Sequence, residues 1–150
     1  MGFDLCGINA KSETGEYFRN NVWYWRPLAK FVLDNCNVSS PDDWHFNNGA
    51  EVNEKEATEI GNKLTELLKN GKIGKYNREN KKRIKNLPLE KCGFCNGKDS
   101  TGKNISTQIE CNSCKGIGKI ESTETWYTFD KKNIKDFAKF CLESGGFTIG

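Results

Sequence analysis

The clearest hydrophobic pattern in the chain lies between residues 53 and 71. Apolar side chains recur there at every third or fourth position, which is the spacing of one face of an α-helix. Asn53 offers an N-cap with Glu56 three residues later, and Gly71 offers a stop. The pattern therefore predicts a helix over this segment. Its apolar face is formed by Ala57, Ile60, Leu64, Leu67 and Leu68.

Three further segments show a thinner helical spacing. Pro27, which is tolerated in a first turn, precedes an apolar stripe and predicts a helix over about 27–35. A second stripe predicts a helix over about 72–86, which Pro88 ends. Asp130 offers the N-cap of a last helix, which closes at a pair of glycines.

Strand signals lie mainly at the two ends of the chain. Residues 2–8 alternate loosely between apolar and polar, and residues 126–129 and 147–149 form short apolar runs. Strands at the ends with helices between them predict an α+β fold, a small antiparallel sheet covered on one face by about four helices. A length of 150 residues fits a single domain over 1–150.

Composition narrows the class of protein. The chain is 35% hydrophobic and carries a net charge of +3, which excludes disorder of the whole chain. No stretch approaches the roughly 18 apolar residues of a membrane span, and Asp4 without an early Lys or Arg argues against a signal peptide. Cys6 stands where a myristoylation motif has Ser or Thr. We expect a soluble, cytoplasmic protein without a membrane partner.

Four of the seven cysteines form a motif of the kind that binds zinc. Cys92, Cys95, Cys111 and Cys114 read C-x2-C-x15-C-x2-C, in which two facing pairs supply four thiolates to one tetrahedral ion. Glycines after each pair allow backbone N–H groups to turn toward the sulfurs. The motif predicts one structural Zn²⁺ in a hairpin over about 89–121, projecting from the helical body.

The same cysteine units resemble the zinc repeats of DnaJ-type co-chaperones. The repeats read C-x-x-C-x-G and C-x-x-C-x-G-x-G, and the first has Lys98-Asp99 in place of its last Gly. Two repeats instead of the four of that family imply one zinc instead of two. The chain contains no His-Pro-Asp tripeptide, so the resemblance does not imply a co-chaperone role.

Basic residues concentrate between Lys69 and Lys91, a segment that contains nine basic and only two acidic residues. Such a basic helix next to a zinc hairpin is typical of a phosphate-binding surface, and the plainer alternative is the solvated side of an amphipathic helix. Lys outnumbers Arg 19 to 4, which favours non-specific contact over base readout. The candidate nucleic-acid contacts are Lys75, Arg78, Lys82 and Lys85.

Aromatic residues concentrate between positions 17 and 44. They could form a stacking pocket for a planar ligand, or they could fill the core of a chain that is short of aliphatic residues, which we favour. Trp23 and Trp25 would share one side of a strand but point apart in a helix. The candidate pocket residues are Arg19, Asn21, Trp23, Arg26, His45 and Asn48.

The remaining reactive side chains predict no catalytic residues. His45 is the only histidine, so the chain has neither a catalytic triad nor a His-rich metal site. Cys6 follows Leu5 and Cys141 lies between Phe140 and Leu142, so both are expected to be buried as small hydrophobes. Cys36 lies between two asparagines, and its environment stays open.

Several segments together resemble a group of small uncharacterised proteins of bacteria and their phages. They are residues 15–28, the two cysteine units, residues 137–140 and residues 144–147. The resemblance implies a zinc-containing protein, phage- or prophage-encoded, in the cytoplasm of a bacterial host. It brings no activity with it.

Three functions follow from these features. The leading hypothesis is a zinc-stabilised, non-enzymatic interaction protein that binds a host or viral protein. The first alternative is an accessory protein that binds nucleic acid through the helix at 72–86. The second alternative is a small-ligand-binding or hydrolytic protein with a pocket around Arg19, Trp23, Arg26 and His45.

Overall fold

The computed structural model describes residues 1–94 and 111–150, and within them the protein has an α+β fold, as predicted. The helices are α1 (Val22–Asn35), α2 (Glu54–Lys69), α3 (Lys72–Lys85) and α4 (Lys131–Glu143). The strands are β1 (Gly2–Gly7), β2 (Tyr17–Asn21), β3 (Ala50–Val52), β4 (Glu90–Lys91), β5 (Lys119–Ile120) and β6 (Phe147–Ile149). Three short 3₁₀ turns lie at Glu13–Gly15, Pro41–His45 and Thr123–Trp126.

The described chain divides into two compact units. The first unit comprises Met1–Lys81 with Tyr127–Gly150, and the second comprises Lys82–Trp126. The second unit therefore contains the segment in which the cysteine hairpin was predicted, residues 89–121.

The first unit is built on a four-stranded antiparallel sheet in the order β2-β1-β6-β3. Leu5 in β1 is opposite Phe18 on one side and Ile149 on the other. Phe3 and Leu5 are buried, while the alternate residues Asp4 and Cys6 face the other side of the sheet. This alternation leaves one apolar face for the helices to cover, as predicted.

Aromatic side chains dominate the core under that face. The fully buried ring of Trp25 stacks between Phe3, at a centroid distance of 5.2 Å, and Trp44, at 5.6 Å. The indole Nε1–H of Trp25 donates to the backbone carbonyl of Trp44 at 2.9 Å, so its buried polar atom is satisfied. Phe137 of α4 meets both tryptophans edge-on. Of the aromatic residues between positions 17 and 44, Trp25 and Trp44 therefore belong to the core, as the favoured interpretation predicted, whereas Tyr17, Trp23 and Tyr24 are exposed.

Helix α1 begins five residues earlier than predicted. Asn21 is its N-cap and accepts a hydrogen bond from the Tyr24 backbone N–H at 3.1 Å. Pro27 therefore lies inside the helix, where it cannot donate to the Trp23 carbonyl four residues earlier. The backbone N–H of Thr128 donates to that carbonyl instead, at 3.0 Å. A distant segment therefore satisfies the acceptor that the proline leaves open.

The same bond explains an error at residues 126–129, which were predicted to be a strand. Trp126 ends a 3₁₀ turn, and the residues after it have no regular secondary structure. Their apolar side chains pack against helices instead, since Tyr127 contacts Trp23 and Phe129 contacts Phe31. Strands β2 and β3 were missed because β2 continues directly into a helix and β3 buries only Val52 of its three residues.

The helices other than α1 match their predictions closely. Asn53 caps α2 by accepting from the Glu56 N–H at 2.9 Å, and Asp130 caps α4 by accepting from the Asn133 N–H at 3.2 Å. Gly61 lets α4 approach α2, because a Cβ there would lie 2.7 Å from Cγ of Leu142.

Backbone segments also meet at glycines beside the sheet. A Cβ on Gly15 would lie 2.0 Å from the carbonyl oxygen of Glu143, and a Cβ on Gly7 would lie 2.0 Å from the carbonyl oxygen of Gly15. Real side chains never make such contacts, so three backbone segments approach more closely than any other residue type allows.

We predict that Gly15→Ala destabilises the protein by about 1–3 kcal/mol or more, because the obstructing atoms belong to the backbone and cannot rotate away. Gly74→Ala is the matched control, since a Cβ there would meet its nearest atom at 3.5 Å inside a helix. The free energy of unfolding of this control should rise by roughly 0.5–1 kcal/mol, because alanine is a better helix former than glycine. Urea unfolding measures both, and equal stability of the two variants would contradict the close approach.

Candidate metal centre

Three described cysteines of the second unit are brought together by a short two-stranded ladder. Glu90 pairs with Ile120 and Lys91 pairs with Lys119 across β4 and β5. A further backbone hydrogen bond extends this ladder, because the Cys92 N–H donates to the Gly118 carbonyl at 2.9 Å. The residue after β4 and the residues before β5 therefore lie at the same end of the ladder, where the sulfurs cluster.

The Sγ atoms of Cys92, Cys111 and Cys114 lie within 4.8 Å of one another, and those of Cys92 and Cys111 are 3.8 Å apart. A disulfide would need about 2.05 Å. Sulfurs at about 2.3 Å from a shared tetrahedral ion would be roughly 3.8 Å apart. Cys92 and Cys114 are buried and Cys111 is half-buried. The cluster can therefore hold a metal ion.

The structure places three of the four predicted ligands in this cluster. The fourth, Cys95, lies outside the described residues. Its role as a ligand stays a prediction from the C-x2-C spacing that it shares with Cys92.

The backbone after Cys114 is turned by residues in the left-handed region. Lys115 has φ 53°, Gly116 has φ 85° and Gly118 has φ 79°. This turn directs the Gly118 N–H to Sγ of Cys114, at a donor–acceptor distance of 3.3 Å. The bond is the one that the glycine pattern predicted, and it stabilises negative charge on the sulfur. Lys115 adopts the same backbone region although it is not a glycine.

Sequence reasoning missed two side-chain contacts of the second unit, of which the first supports the ladder directly. The buried hydroxyl of Ser122 donates to the Glu90 carboxylate at 2.8 Å, and Arg83 pairs with Glu124 at 2.8 Å. The Ser122 hydroxyl oxygen also accepts a hydrogen bond from the Glu124 backbone N–H, at 3.3 Å, at the start of the 3₁₀ turn. The spacing of these polar residues along the sequence gave no signal that they would meet.

The four candidate nucleic-acid contacts are all exposed residues of α3. Lys75 and Arg78 belong to the first unit, and Lys82 and Lys85 belong to the second. They recur at intervals of three or four residues, which is the spacing of a single helix face. Lys75 is 3.9 Å from Glu79, and this exposed ion pair is worth little.

The six candidate pocket residues are spread over β2, α1, a 3₁₀ turn and the loop after that turn. Arg19 on β2 pairs with Asp4 at 3.4 Å, and Asn21 caps α1. Trp23 and Arg26 are exposed on α1, and His45 is exposed at the end of a 3₁₀ turn. Asn48 donates to the Asp43 carboxylate at 3.2 Å. Trp23 and Trp25 point apart, as the helical alternative required, so only Trp23 is at the surface.

The remaining cysteines differ from one another in burial. Cys141 is buried, as predicted, whereas the prediction for Cys6 was wrong, since Cys6 is exposed on the open face of the sheet. The strand alternation that buries Leu5 turns Cys6 outward. Cys36 is half-buried, and loss of solvation raises the pKa of its thiol to about 11, partly offset by the charge of Lys63.

Comparison of the chain with protein families, with curated proteins and with solved structures finds no match. Among the described residues, none of the helices has the length and apolar character needed to cross a membrane.

The raised pKa of Cys36 predicts a pH dependence of stability. An unfolded thiol ionises near pH 9, whereas folded Cys36 keeps its proton up to about pH 11. The unfolded state therefore binds fewer protons between these values, and the free energy of unfolding should fall as the pH rises through that window. Cys36→Ser should remove part of this fall in the free energy of unfolding, as measured by urea unfolding at several pH values. The exposed Cys6→Ser is the matched control, and identical profiles for the two variants would contradict the assignment.

Proposed function

We propose that the protein is a zinc-stabilised, non-enzymatic interaction protein that binds a host or viral protein. The observation that carries the proposal is the 3.8 Å separation of the Cys92 and Cys111 sulfurs beside the sulfur of Cys114. A set of thiolate ligands favours Zn²⁺ over the harder divalent cations. With Cys95 as fourth ligand the ion has no open position, so it stabilises the second unit and does not act on a substrate.

A protein partner is supported by the apolar surface of the second unit. Among the described residues of that unit, four large apolar side chains are more than half exposed, and where such side chains adjoin they favour docking of another apolar surface. These residues are Leu89 (53%), Phe94 (81%), Ile117 (65%) and Trp126 (55%). In this proposal the partner is bound in the cytoplasm of a bacterial host, in line with the resemblance to small bacterial and phage proteins.

A second candidate function is non-specific binding of nucleic acid. It is favoured by the charge of α3, which has seven basic residues and one acidic residue among its 14. Phosphate contacts need cations at the surface and carry no base information, which suits a lysine-rich helix.

The zinc proposal predicts that Cys114→Ser loses its metal and unfolds the second unit. Structural zinc contributes about 10–16 kcal/mol to the folding of such sites. Elemental analysis should find one equivalent of zinc in the wild type and in the control Cys6→Ser, and much less in Cys114→Ser. Hydrogen exchange should rise over residues 82–94 and 111–126 and stay low in α2 and α4. Full zinc content in Cys114→Ser would exclude the site.

Affinity capture from a bacterial lysate, with and without nuclease, distinguishes the two candidate functions. We expect a defined protein to be captured by the wild type in both conditions and to be lost with Cys114→Ser, because the docking surface belongs to the metal-stabilised unit. Capture that disappears after nuclease treatment would instead favour the nucleic-acid candidate.

A further inference from the structure

Two cations from different helices converge over a glycine in the first unit. Arg78 lies one turn after Gly74 on α3, and Lys131 is the first residue of α4. The position that a Cβ of residue 74 would occupy is 3.5 Å from the guanidinium Nη1 of Arg78 and 3.9 Å from Nζ of Lys131. Both positive groups therefore reach the same small area of helix surface.

Two of the neighbouring lysines have carboxylate partners. Lys75 pairs with Glu79 at 3.9 Å, and Lys132 pairs with Asp136 at 2.8 Å. Within residues 1–94 and 111–150, neither Arg78 nor Lys131 forms an ion pair. Like charges directed at one place repel each other, so this arrangement favours an anion that both can contact.

The shape of the area suits a phosphate group. Gly74 has no side chain to cover the helix backbone, and both cationic groups are exposed. A guanidinium can bind two phosphate oxygens with its planar fork, and an ammonium can bind a third as a point charge. Lys81, exposed on the same flank of α3 one turn after Arg78, places a further cation along the helix.

We propose that Arg78 and Lys131 together hold one phosphodiester of a nucleic-acid backbone over Gly74. The proposal rests on the second candidate function and gives it a defined contact point. The continuation of the cationic flank at Lys81 favours a chain of linked phosphates over a single free phosphate, because adjacent phosphates can then be contacted in turn.

The test is the salt dependence of binding to a fluorescein-labelled oligothymidylate, followed by fluorescence anisotropy on the full chain. The variants are Arg78→Gln, Lys131→Gln and their double variant. The matched control is Lys139→Gln, which removes an equal charge from an exposed position of α4 two turns away. Unchanged thermal unfolding of each variant shows that it is folded.

We expect each single variant to bind several-fold more weakly and to lose about one unit of the slope of log K against log salt. The fold-loss of affinity in the double variant should be smaller than the product of the fold-losses in the two single variants, because both side chains contact one phosphate. Lys139→Gln should keep the wild-type slope. Inorganic phosphate should displace the oligonucleotide only at far higher concentration.

Three results would overturn the proposal, and they are distinguishable. A wild type that does not bind the oligonucleotide would defeat both the subsite and the second candidate function. Binding by the wild type with both variants equal to Lys139→Gln would defeat the subsite alone. Complete displacement by micromolar inorganic phosphate would assign the pair to a free anion instead of a nucleic acid.

Discussion

The first unit depends on a tight turn at Gly145 and Gly146 that returns the chain from α4 to the sheet. Both residues have positive φ, 63° and 93°, and a Cβ on Gly145 would lie 2.2 Å from the Asn9 carbonyl oxygen. The turn is also paired, because the Ile8 N–H donates to the Gly146 carbonyl at 2.8 Å. Only glycine satisfies both the backbone conformation and the close approach, so the positions of α4 and β6 are set by the same two residues.

Sequence reasoning identified the helices well where a cap and an apolar face agree. Asn53 and Asp130 both made the capping bonds that their positions indicated. It failed where a distant group overrides a local rule. Pro27 by itself indicates the start of a helix. The chain tolerates this proline inside α1 because the backbone N–H of Thr128 donates to the Trp23 carbonyl, which Pro27 cannot reach with a hydrogen bond of its own. No local pattern contains that information.

The candidate site shows the same division. Cysteine spacing alone indicated the cluster, and the described sulfurs of Cys92, Cys111 and Cys114 meet. The Glu90–Ser122 bond that supports the ladder joins residues 32 positions apart, so no motif could reveal it. The convergence of Arg78 and Lys131 over Gly74 could not be predicted from the sequence either, because these residues are far apart along the chain.

The position of β6 has a consequence for the order of events during synthesis. This strand lies between β1 and β3, so residues 2–7 and 50–52 have no common neighbour until residues 147–149 are available. The four-stranded sheet therefore cannot be completed while Ile149 is still inside the ribosome. Leu5 gains one of its two strand neighbours only from Ile149, far along the chain, and a sheet built on such a long-range pairing is slow to form.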